Sequence, residues 1–251
     1  MDNTKKFTNK VENYVKYRPS YPRGFIRYLT EELGLAAGKT AADVGAGTGI
    51  LTRLLAACAD TVYAVEPNAE MSRACRELCR EYRNIVMIDG TAENTGLPDS
   101  STDFVTAAQA FHWFDREKAK AEFGRILKPG GKVVLVWNSR VSENEFIKAN
   151  DELCRRLCPD FNGFSGGIGW EEERYGDFFK DGLFEYRIFE NDRTLTLEEY
   201  IGGSLSASYA PLERDENYSG FVEGLKDLFD RYSVGGRLLM PAVTQSYAGS
   251  L

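Results

Sequence analysis

The sequence is poor in histidine, in positive charge and in long apolar runs, and each shortage argues against a class of protein. One histidine in 251 residues excludes metal centres that need several histidine ligands. Lysine and arginine number 31 against 38 aspartates and glutamates, and the resulting net charge of −7 disfavours a general nucleic-acid binder. No apolar run approaches the ~20 residues that cross a bilayer, and the first ten residues lack a signal-like apolar segment. We therefore expect a cytoplasmic protein without nucleic-acid or membrane partners.

The cysteines also argue against a disulfide scaffold, because the chain has five, an odd number. Cys75 with Cys79 and Cys154 with Cys158 have the i,i+4 spacing that places side chains on one face of a helix. A zinc site with four cysteine ligands is one interpretation, and packing as small apolar side chains is the other. Packing is favoured, since structural zinc sites more often take closely spaced cysteines from turns. We predict no metal site.

Strand-like and helix-like patterns alternate over residues 40–138. Five short runs rich in apolar or β-branched residues predict strands: 40–44, 61–66, 84–89, 102–108 and 132–138. Apolar stripes with helical spacing lie between several of these runs, and Asn68 and Asp115 are the expected N-caps of two helices. Such alternation predicts βαβ units, a parallel sheet with helices on both faces, and a ligand crevice at the carboxyl ends of the strands.

The remaining chain predicts helices over 146–158, 197–205 and 216–232, and strands over 183–190 and about 237–248. No linker separates this part from the alternating part. We therefore predict a single domain, made of an N-terminal lid (1–35), a cofactor-binding core (about 36–140), a cap and substrate region (141–235) and a final strand (236–251).

A glycine-rich turn follows the first predicted strand, in the run DVGAGTG at 43–49. Glycines let the backbone approach a ligand closely, and the helix that follows exposes free N–H groups. The dinucleotide fingerprint G-x-G-x-x-G would need a third glycine where Ile50 stands. Asp43, just before the turn, suits an amine-bearing ligand better than a pyrophosphate. A tight turn without a ligand is the alternative.

Acidic residues follow the second and third predicted strands. Glu66 ends the second strand, where an acid accepts hydrogen bonds from ribose hydroxyls in nucleotide-binding folds. The run DGTAE at 89–93 follows the third strand and is placed to contact an adenine edge. A solvated strand end and an ordinary loop are the alternatives for these two segments.

The sequence resembles the class I S-adenosylmethionine-dependent methyltransferases in four runs, which follow one another in the order and spacing of that family. The runs are DVGAGTG, AVEPN, DGTAENTGLPDSSTDFVTAAQAFHWFD and RILKPGGKVVLVWN. The small-molecule group with the methyltransferase type 11 domain is the most similar. The run YVKYRPSYP at 14–22 resembles the lead-in of trans-aconitate-methyltransferase-like proteins. The resemblance implies a Rossmann-like, seven-stranded, mostly parallel sheet with an antiparallel last strand, helices on both faces and a helical cap. It also implies S-adenosylmethionine as methyl donor, S-adenosylhomocysteine as product and a small-molecule acceptor.

The resemblance assigns roles to individual residues. The turn that would hold the methionine part of the donor comprises Asp43, Gly45, Ala46, Gly47 and Gly49. Glu66 and Pro67 match the ribose site, and the adenine site is matched by Asp89, Thr91, Ala92 and Glu93. Gln109 matches a loop near the sulfonium. Tyr14, Tyr17 and Arg18 match a lid that closes over donor and acceptor.

The acceptor chemistry stays open. His112 is either a general base or a wall of the pocket, and a carboxylate acceptor would need no base. Arg18, with Arg23 and Arg27, either binds an anionic acceptor such as a carboxylic acid or belongs to a solvated helix face. The alternative functions are a NAD-dependent oxidoreductase and a non-catalytic S-adenosylmethionine-binding regulator. Either a monomer or a homodimer is expected.

Overall fold

The computed structural model describes residues 15–164 and 172–251, and a seven-stranded sheet forms its centre. The strand order is β3-β2-β1-β4-β5-β9-β6. Neighbouring strands from β3 to β5 pair in parallel, whereas β9 runs antiparallel to both β5 and β6. The predicted Rossmann-like sheet with one antiparallel strand is therefore confirmed. The strands are β1 (Thr40–Val44), β2 (Thr61–Val65), β3 (Ile85–Ile88), β4 (Thr102–Ala108), β5 (Leu127–Arg140), β6 (Phe184–Glu190), β7 (Arg193–Leu195), β8 (Leu238–Met240) and β9 (Ala242–Gly249).

Helices cover the sheet and build the region beyond it. Asn68 accepts hydrogen bonds from the backbone of Glu70 and Met71, and Asp115 accepts one from Lys118, so both predicted N-caps are confirmed. Each cap fixes where a helix leaves the carboxyl edge of the sheet. The helices are α1 (Arg23–Arg27, continued by a π-helical turn over Tyr28–Glu32), α2 (Ile50–Ala56), α3 (Ala69–Leu78), α4 (Arg116–Ile126), α5 (Glu145–Leu157), α6 (Leu197–Leu205) and α7 (Tyr218–Tyr232).

Apolar side chains pack on both faces of the sheet, while a further cluster lies outside it. The strands β1 and β4 are buried along most of their length, as expected for a sheet covered on both sides. The separate cluster contains no residue of the seven-stranded sheet, and we call it the cap cluster. Its most deeply buried members are Ile147, Cys154, Cys158, Tyr200, Phe221, Leu225 and Leu238.

The C-terminal segment differs from its prediction. Instead of one strand over about 237–248, β8 pairs with β7 in a separate two-stranded sheet, and β9 joins the main sheet. Pro241 lies between them, and a proline removes the N–H that a continuous strand would donate. The three-residue strand β7 was not predicted, and β5 begins at Leu127 rather than at 132.

The two cysteine pairs lie in different hydrophobic clusters, so they do not form one four-cysteine metal site. Cys75 and Cys79 are buried with Ala46 and Ala64, and their sulfurs are 3.7 Å apart. Cys154 belongs, with Cys158, to the cap cluster. In the described ranges, no group of three or more His, Cys, Asp or Glu side chains is arranged to hold a metal ion. Those same ranges contain no helix long and apolar enough to span a membrane.

Candidate functional site

Two neighbouring cavities open at the carboxyl edge of the parallel strands. The small cleft has a volume of about 180 Å³ and lies against the glycine turn and the ends of β2 and β4. The large cavity, of about 550 Å³, lies between that edge, the segment 17–19 and α6. Gln109 and Trp113 line both, so a molecule in one would meet a molecule in the other at these residues.

The glycine turn has a backbone that only glycine adopts easily, and its three glycines serve different purposes. Gly45, Gly47 and Gly49 have φ of +73°, +57° and +79°. Gly45 and Gly47 line the small cleft, and a Cβ on Gly47 would meet no atom within 4 Å. A Cβ on Gly49 would instead lie 2.6 Å from Cys75 Sγ and 2.9 Å from Cys79 Sγ. The turn therefore presents bare backbone to the cleft and packs tightly on α3 behind it.

Glu66 is the buried acid of the small cleft. It is 8% exposed, its Oε2 accepts the Gly47 N–H at 2.8 Å, and its Oε1 accepts the Asn68 N–H at 2.8 Å. Burial raises the pKa of this carboxyl, and the two backbone hydrogen bonds oppose that shift. Each carboxylate oxygen has a second lone pair, so Glu66 can also accept from hydroxyls of a ligand.

Asp43, expected to contact the methionine part of the donor, does not line the small cleft. Its side chain is 1% exposed and accepts from Thr52 Oγ1 at 2.6 Å and Thr106 Oγ1 at 2.9 Å. Burial raises the pKa of this carboxyl to about 6, against the opposing effect of the two threonine hydroxyls. Asp43 thus joins β1 to α2 and β4 and shapes the turn from beneath.

The loop after β3 supplies one wall of the small cleft. Thr91, Ala92 and Glu93 line it as predicted, whereas Asp89 does not. Glu93 Oε1 accepts the Asp115 N–H at 2.9 Å and so holds this loop against the start of α4. Of the predicted turn residues, Ala46 and Gly49 also lie outside the lining. Asn68 and Ala110, which adjoin predicted contacts, also line the cleft. The lining residues not predicted as contacts are apolar: Met71, Ala108, Trp113 and Phe114.

Gln109 stands at the junction of the two cavities with a strained backbone. Its φ is +56°, a left-handed conformation that costs a non-glycine residue about 1–3 kcal/mol. The Gln109 N–H donates to Val136 O at 2.9 Å and its Nε2 donates to Asn138 O at 3.0 Å, which fixes the residue against β5. Pre-set strain at such a point is typical of functional sites.

Tyr17 and Arg18, expected to close over donor and acceptor, line the large cavity and not the small cleft. The hydroxyl of Tyr17 donates to Glu198 at 2.8 Å, and Arg18 Nη2 donates to Ser206 O at 3.3 Å. These bonds hold the segment 17–19 against α6. The residues expected to form a lid therefore lie over the large cavity. Tyr14, named with them, lies outside the described residues.

The large cavity is rich in arginine although the whole protein is acidic. Its lining contains Arg18, Arg116, Arg140 and Arg193, against the acids Asp160 and Glu199. Arg23 and Arg27 are exposed and outside the lining, and Arg27 pairs with Glu31. Of the three predicted arginines, only Arg18 is therefore in place. The cavity arginines Arg116, Arg140 and Arg193 were not predicted, because they lie far from Arg18 in the sequence.

His112 lines the large cavity beside the junction. Its Nδ1 accepts a hydrogen bond from Trp137 Nε1 at 3.4 Å, and its ring lies 4.6 Å from the Trp113 ring, centroid to centroid. Because an indole N–H only donates, this contact favours the imidazole with its proton on Nε2.

These features fit S-adenosylmethionine as the occupant of the small cleft. The bare backbone at Gly47 leaves room for a ligand, and the Glu66 carboxylate suits ribose hydroxyls. Ala92, Met71 and Phe114 offer apolar surface for a purine ring. The residues that line the cleft thus match the polar and apolar parts of this donor.

Comparisons with known proteins agree with the geometry. A family model described as a methyltransferase domain matches residues 42–135. An uncharacterized methyltransferase-like protein of Schizosaccharomyces pombe is 35% identical over 196 residues, covering 78% of this chain and 74% of that protein. An uncharacterized methyltransferase of Mycobacterium tuberculosis is 39% identical over 150 residues, 60% of this chain and 59% of its own length.

Among solved structures, an Anaeromyxobacter dehalogenans protein provisionally described as a type II methyltransferase is 25% identical, with a TM-score of 0.67. The match covers 93% of this chain and 98% of that one. The sheet order, the glycine turn and these matches point the same way, and the chain belongs to the class I S-adenosylmethionine-dependent methyltransferases.

Proposed function

We propose that this protein transfers the methyl group of S-adenosylmethionine to a small-molecule acceptor, a carboxylic acid, bound in the large cavity. The observation that carries the proposal is the junction at Gln109 and Trp113, where an arginine-lined cavity meets the small cleft. Guanidinium groups bind carboxylates through paired hydrogen bonds. The resemblance of the N-terminal run YVKYRPSYP to trans-aconitate-methyltransferase-like proteins supports the same class of acceptor.

The small cleft would hold the donor through a few contacts. Gly45 and Gly47 would face its methionine part, Glu66 its ribose hydroxyls, and Thr91 and Ala92 its adenine. When bound, the donor supplies a methyl group activated by a sulfonium. Asp43 would act only by supporting the turn, because its carboxylate is engaged by Thr52 and Thr106.

The protein's contribution to the transfer is alignment and exclusion of water. In-line displacement gains most from holding two reactants in the correct orientation. Gln109, fixed to β5, and Trp113 would set that orientation, and the segment 17–19 held on α6 would limit access of water to the cavity. A carboxylate acceptor is already ionised at neutral pH, so no residue needs to remove its proton.

Ligand binding separates this proposal from a NAD-dependent oxidoreductase. A ligand that binds only the native state raises the melting temperature. We expect S-adenosylhomocysteine to raise the melting temperature and NADH to leave it unchanged. Stabilisation by NADH alone would overturn the proposal.

Turnover separates an enzyme from a non-catalytic regulator. The protein is incubated with donor labelled in the methyl group and with pools of small carboxylic acids, and products are identified by mass spectrometry. We expect a labelled methyl ester. Label transferred only to amines, or donor binding without any transfer across acid, alcohol and amine pools, would contradict the proposed acceptor.

A further inference from the structure

We propose that Arg140 and Tyr200 form an oxyanion subsite in the large cavity, which holds an anionic group of the acceptor other than the one that is methylated. The ligand group is a carboxylate or a phosphate. The inference rests on the proposed function for its place in a reaction, but the binding site itself can be tested without the methyl donor.

Two buried hydrogen-bond donors point to this subsite. Arg140 ends β5 and stacks on Phe164, with its Cζ 3.8 Å from the ring centroid. The Arg140 Nη1 atom is buried and has no hydrogen-bond partner within the described ranges. Tyr200, in α6, is 1% exposed, and its hydroxyl likewise has no partner there. Both residues line the large cavity.

Buried donors without partners are costly, because their hydrogen bonds to water have been lost without replacement. The cost is recovered when a ligand supplies acceptor atoms. An oxyanion accepts from a guanidinium and from a phenol together, and its charge complements the guanidinium. Burial is the main cause that raises the pKa of Tyr200, so its hydroxyl remains protonated and able to donate.

Two further arginines strengthen the positive potential around this pair. Arg193 Nη2 donates to Tyr17 O at 3.3 Å, and Arg18 Nη2 donates to Ser206 O at 3.3 Å, so both have neutral carbonyl partners. Burial, together with the charges of Arg140 and Arg18, lowers the pKa of Arg193, against the opposing charge of Glu199. These guanidinium groups are thus close enough to repel one another.

The local acids oppose this charge only at a distance, as Glu199 does for Arg193. Neither Arg140 nor Arg193 forms an ion pair in the part of the chain that the structure describes. Glu199 uses one carboxylate oxygen to accept from both the backbone and the side chain of Thr196 at the start of α6. A bound anion would relieve the repulsion among the arginines.

The position of the subsite makes its ligand group a non-reacting one. Arg140 and Tyr200 line only the large cavity, whereas Gln109 and Trp113 line both cavities. The methyl group must arrive where the two cavities meet. An anionic group on Arg140 would therefore orient the acceptor, and a different atom of the acceptor would be methylated.

The test uses the whole protein without donor and measures binding of malonate and of inorganic phosphate by calorimetry. Arg140→Gln is compared with Arg23→Gln, which removes the same charge from an exposed site outside the cavity. We expect wild type and Arg23→Gln to bind alike within about twofold, and Arg140→Gln to bind at least about tenfold more weakly, as for loss of a hydrogen bond to a charged group. Tighter binding of malonate assigns the subsite to carboxylates, and tighter binding of phosphate assigns it to phosphates.

Tyr200→Phe gives a readout that a purely structural role would not produce. Because this change removes a buried hydroxyl without a partner, the unliganded protein should be at least as thermally stable as wild type, while anion affinity falls several-fold. Equal anion affinity of wild type and Arg140→Gln, or no binding of either anion to wild type at millimolar concentrations, would overturn the subsite. A separate titration with S-adenosylhomocysteine tests the donor site, so failure of the proposed function is distinguishable from failure of the subsite.

Discussion

Asp43 is a buried carboxylate whose ionisation should make stability depend on pH. Burial raises its pKa from 3.8 to about 6 in the folded protein. The folded state therefore binds more protons than the unfolded state between these values. Its contribution to stability is fully present below pH 3.8 and is lost as the pH rises through about 6.

Replacing Asp43 with Asn should remove this pH dependence. The free energy of unfolding of Asp43→Asn, relative to wild type, should increase by up to about 3 kcal/mol between pH 4 and pH 7. Urea unfolding at a series of pH values measures the difference, and Glu66, whose pKa is also raised, is present in both proteins. A difference that stays constant over this range would show that folding does not raise the pKa of Asp43.

His112 is expected to donate a hydrogen bond to the acceptor rather than to remove a proton. Trp137 is 1% exposed and its indole N–H points to His112 Nδ1, so the other ring nitrogen carries the proton of the neutral imidazole. His112→Gln should retain turnover within about threefold at saturating substrates, well short of the roughly 10²–10⁴-fold contribution of a general base. The acceptor KM should rise. A loss of kcat by a hundredfold or more, together with loss of the acidic limb of the pH profile, would establish a base.

At the residue scale, chemical type was predictable and orientation was not. Glu66, Gly45 and Gly47 line the small cleft as expected, because their place just after a strand determines their position. Asp43 belongs to the same run, yet its side chain points to Thr52 and Thr106. The partners that turn it away belong to α2 and β4, and one of them is 63 residues distant in sequence.

At the scale of elements, the turn between β1 and α2 should be sensitive to substitution at Gly49 for two separable reasons. The φ of +79° disfavours any residue with a Cβ, and that Cβ would also collide with the sulfurs of Cys75 and Cys79. Gly38 has a similar φ of +84° but no neighbour within 4 Å of a Cβ, so it isolates the backbone cost. We expect Gly38→Ala to lose about 1 kcal/mol of stability and Gly49→Ala about 2–4 kcal/mol, since overpacking adds to the backbone term.

Chemical unfolding measures both Gly→Ala changes, and binding of S-adenosylhomocysteine should weaken only in Gly49→Ala. Adding Cys75→Ala should recover part of the stability lost in Gly49→Ala, seen as a favourable coupling in a double-mutant cycle. Equal losses at Gly38 and Gly49 would mean that packing on α3 contributes nothing.

The contact between the segment 17–19 and α6 depends on Gly202. A Cβ on Gly202 would overlap the ring of Tyr17, whereas a Cβ on the adjacent Gly203 would lie 3.8 Å from the Cβ and the carbonyl oxygen of Tyr17, an ordinary contact. Gly202→Ala should therefore displace Tyr17 and speed hydrogen exchange over residues 15–20. Gly203→Ala should leave that exchange unchanged and stabilise α6 by about 1 kcal/mol.

Mass-spectrometric hydrogen exchange distinguishes the two variants. Binding of S-adenosylhomocysteine should be the same in both within about twofold, because Tyr17 does not line the small cleft. If residues 15–20 exchange as slowly in Gly202→Ala as in wild type, Tyr17 does not hold this segment.

The strands β1 to β4 and β6 and the helices α5 to α7 were predictable to within two residues, since apolar periodicity is a local signal. The helix α1 was not predicted. The exceptions have local causes. Pro241 divides the last segment between two sheets, and β7 has only three residues, too few for a pattern. The strand β5 begins early, at Leu127, and its first residues include Pro129 and two glycines. Such residues predict a turn rather than a strand.

For the whole molecule, the parallel core was predictable because each βαβ unit follows from consecutive patterns. The large cavity was not, because three of its lining arginines come from segments separated by more than 50 residues: Arg18, Arg140 and Arg193. Their approach depends on β9 lying between β5 and β6 and on α6 packing over the N-terminal segment. No periodicity within one element encodes such an arrangement.

The separate cap cluster predicts that the molecule opens in two steps. None of its residues belongs to the seven-stranded sheet, so α5 and α7 can lose their packing while the buried strands β1 and β4 stay paired. Native-state hydrogen exchange should give a lower opening free energy for amides of α5 and α7 than for those of β1 and β4.

Ligands should then protect different parts of the molecule. S-adenosylhomocysteine should slow exchange around the small cleft and leave α5 and α7 unchanged. An anion in the large cavity should slow exchange in both parts, because that cavity is lined from the sheet by Asn138 and from α6 by Tyr200. Wherever a ligand bridges two cooperative units, its binding energy opposes opening of either one. One common opening free energy for all four elements would instead make core and cap a single cooperative unit.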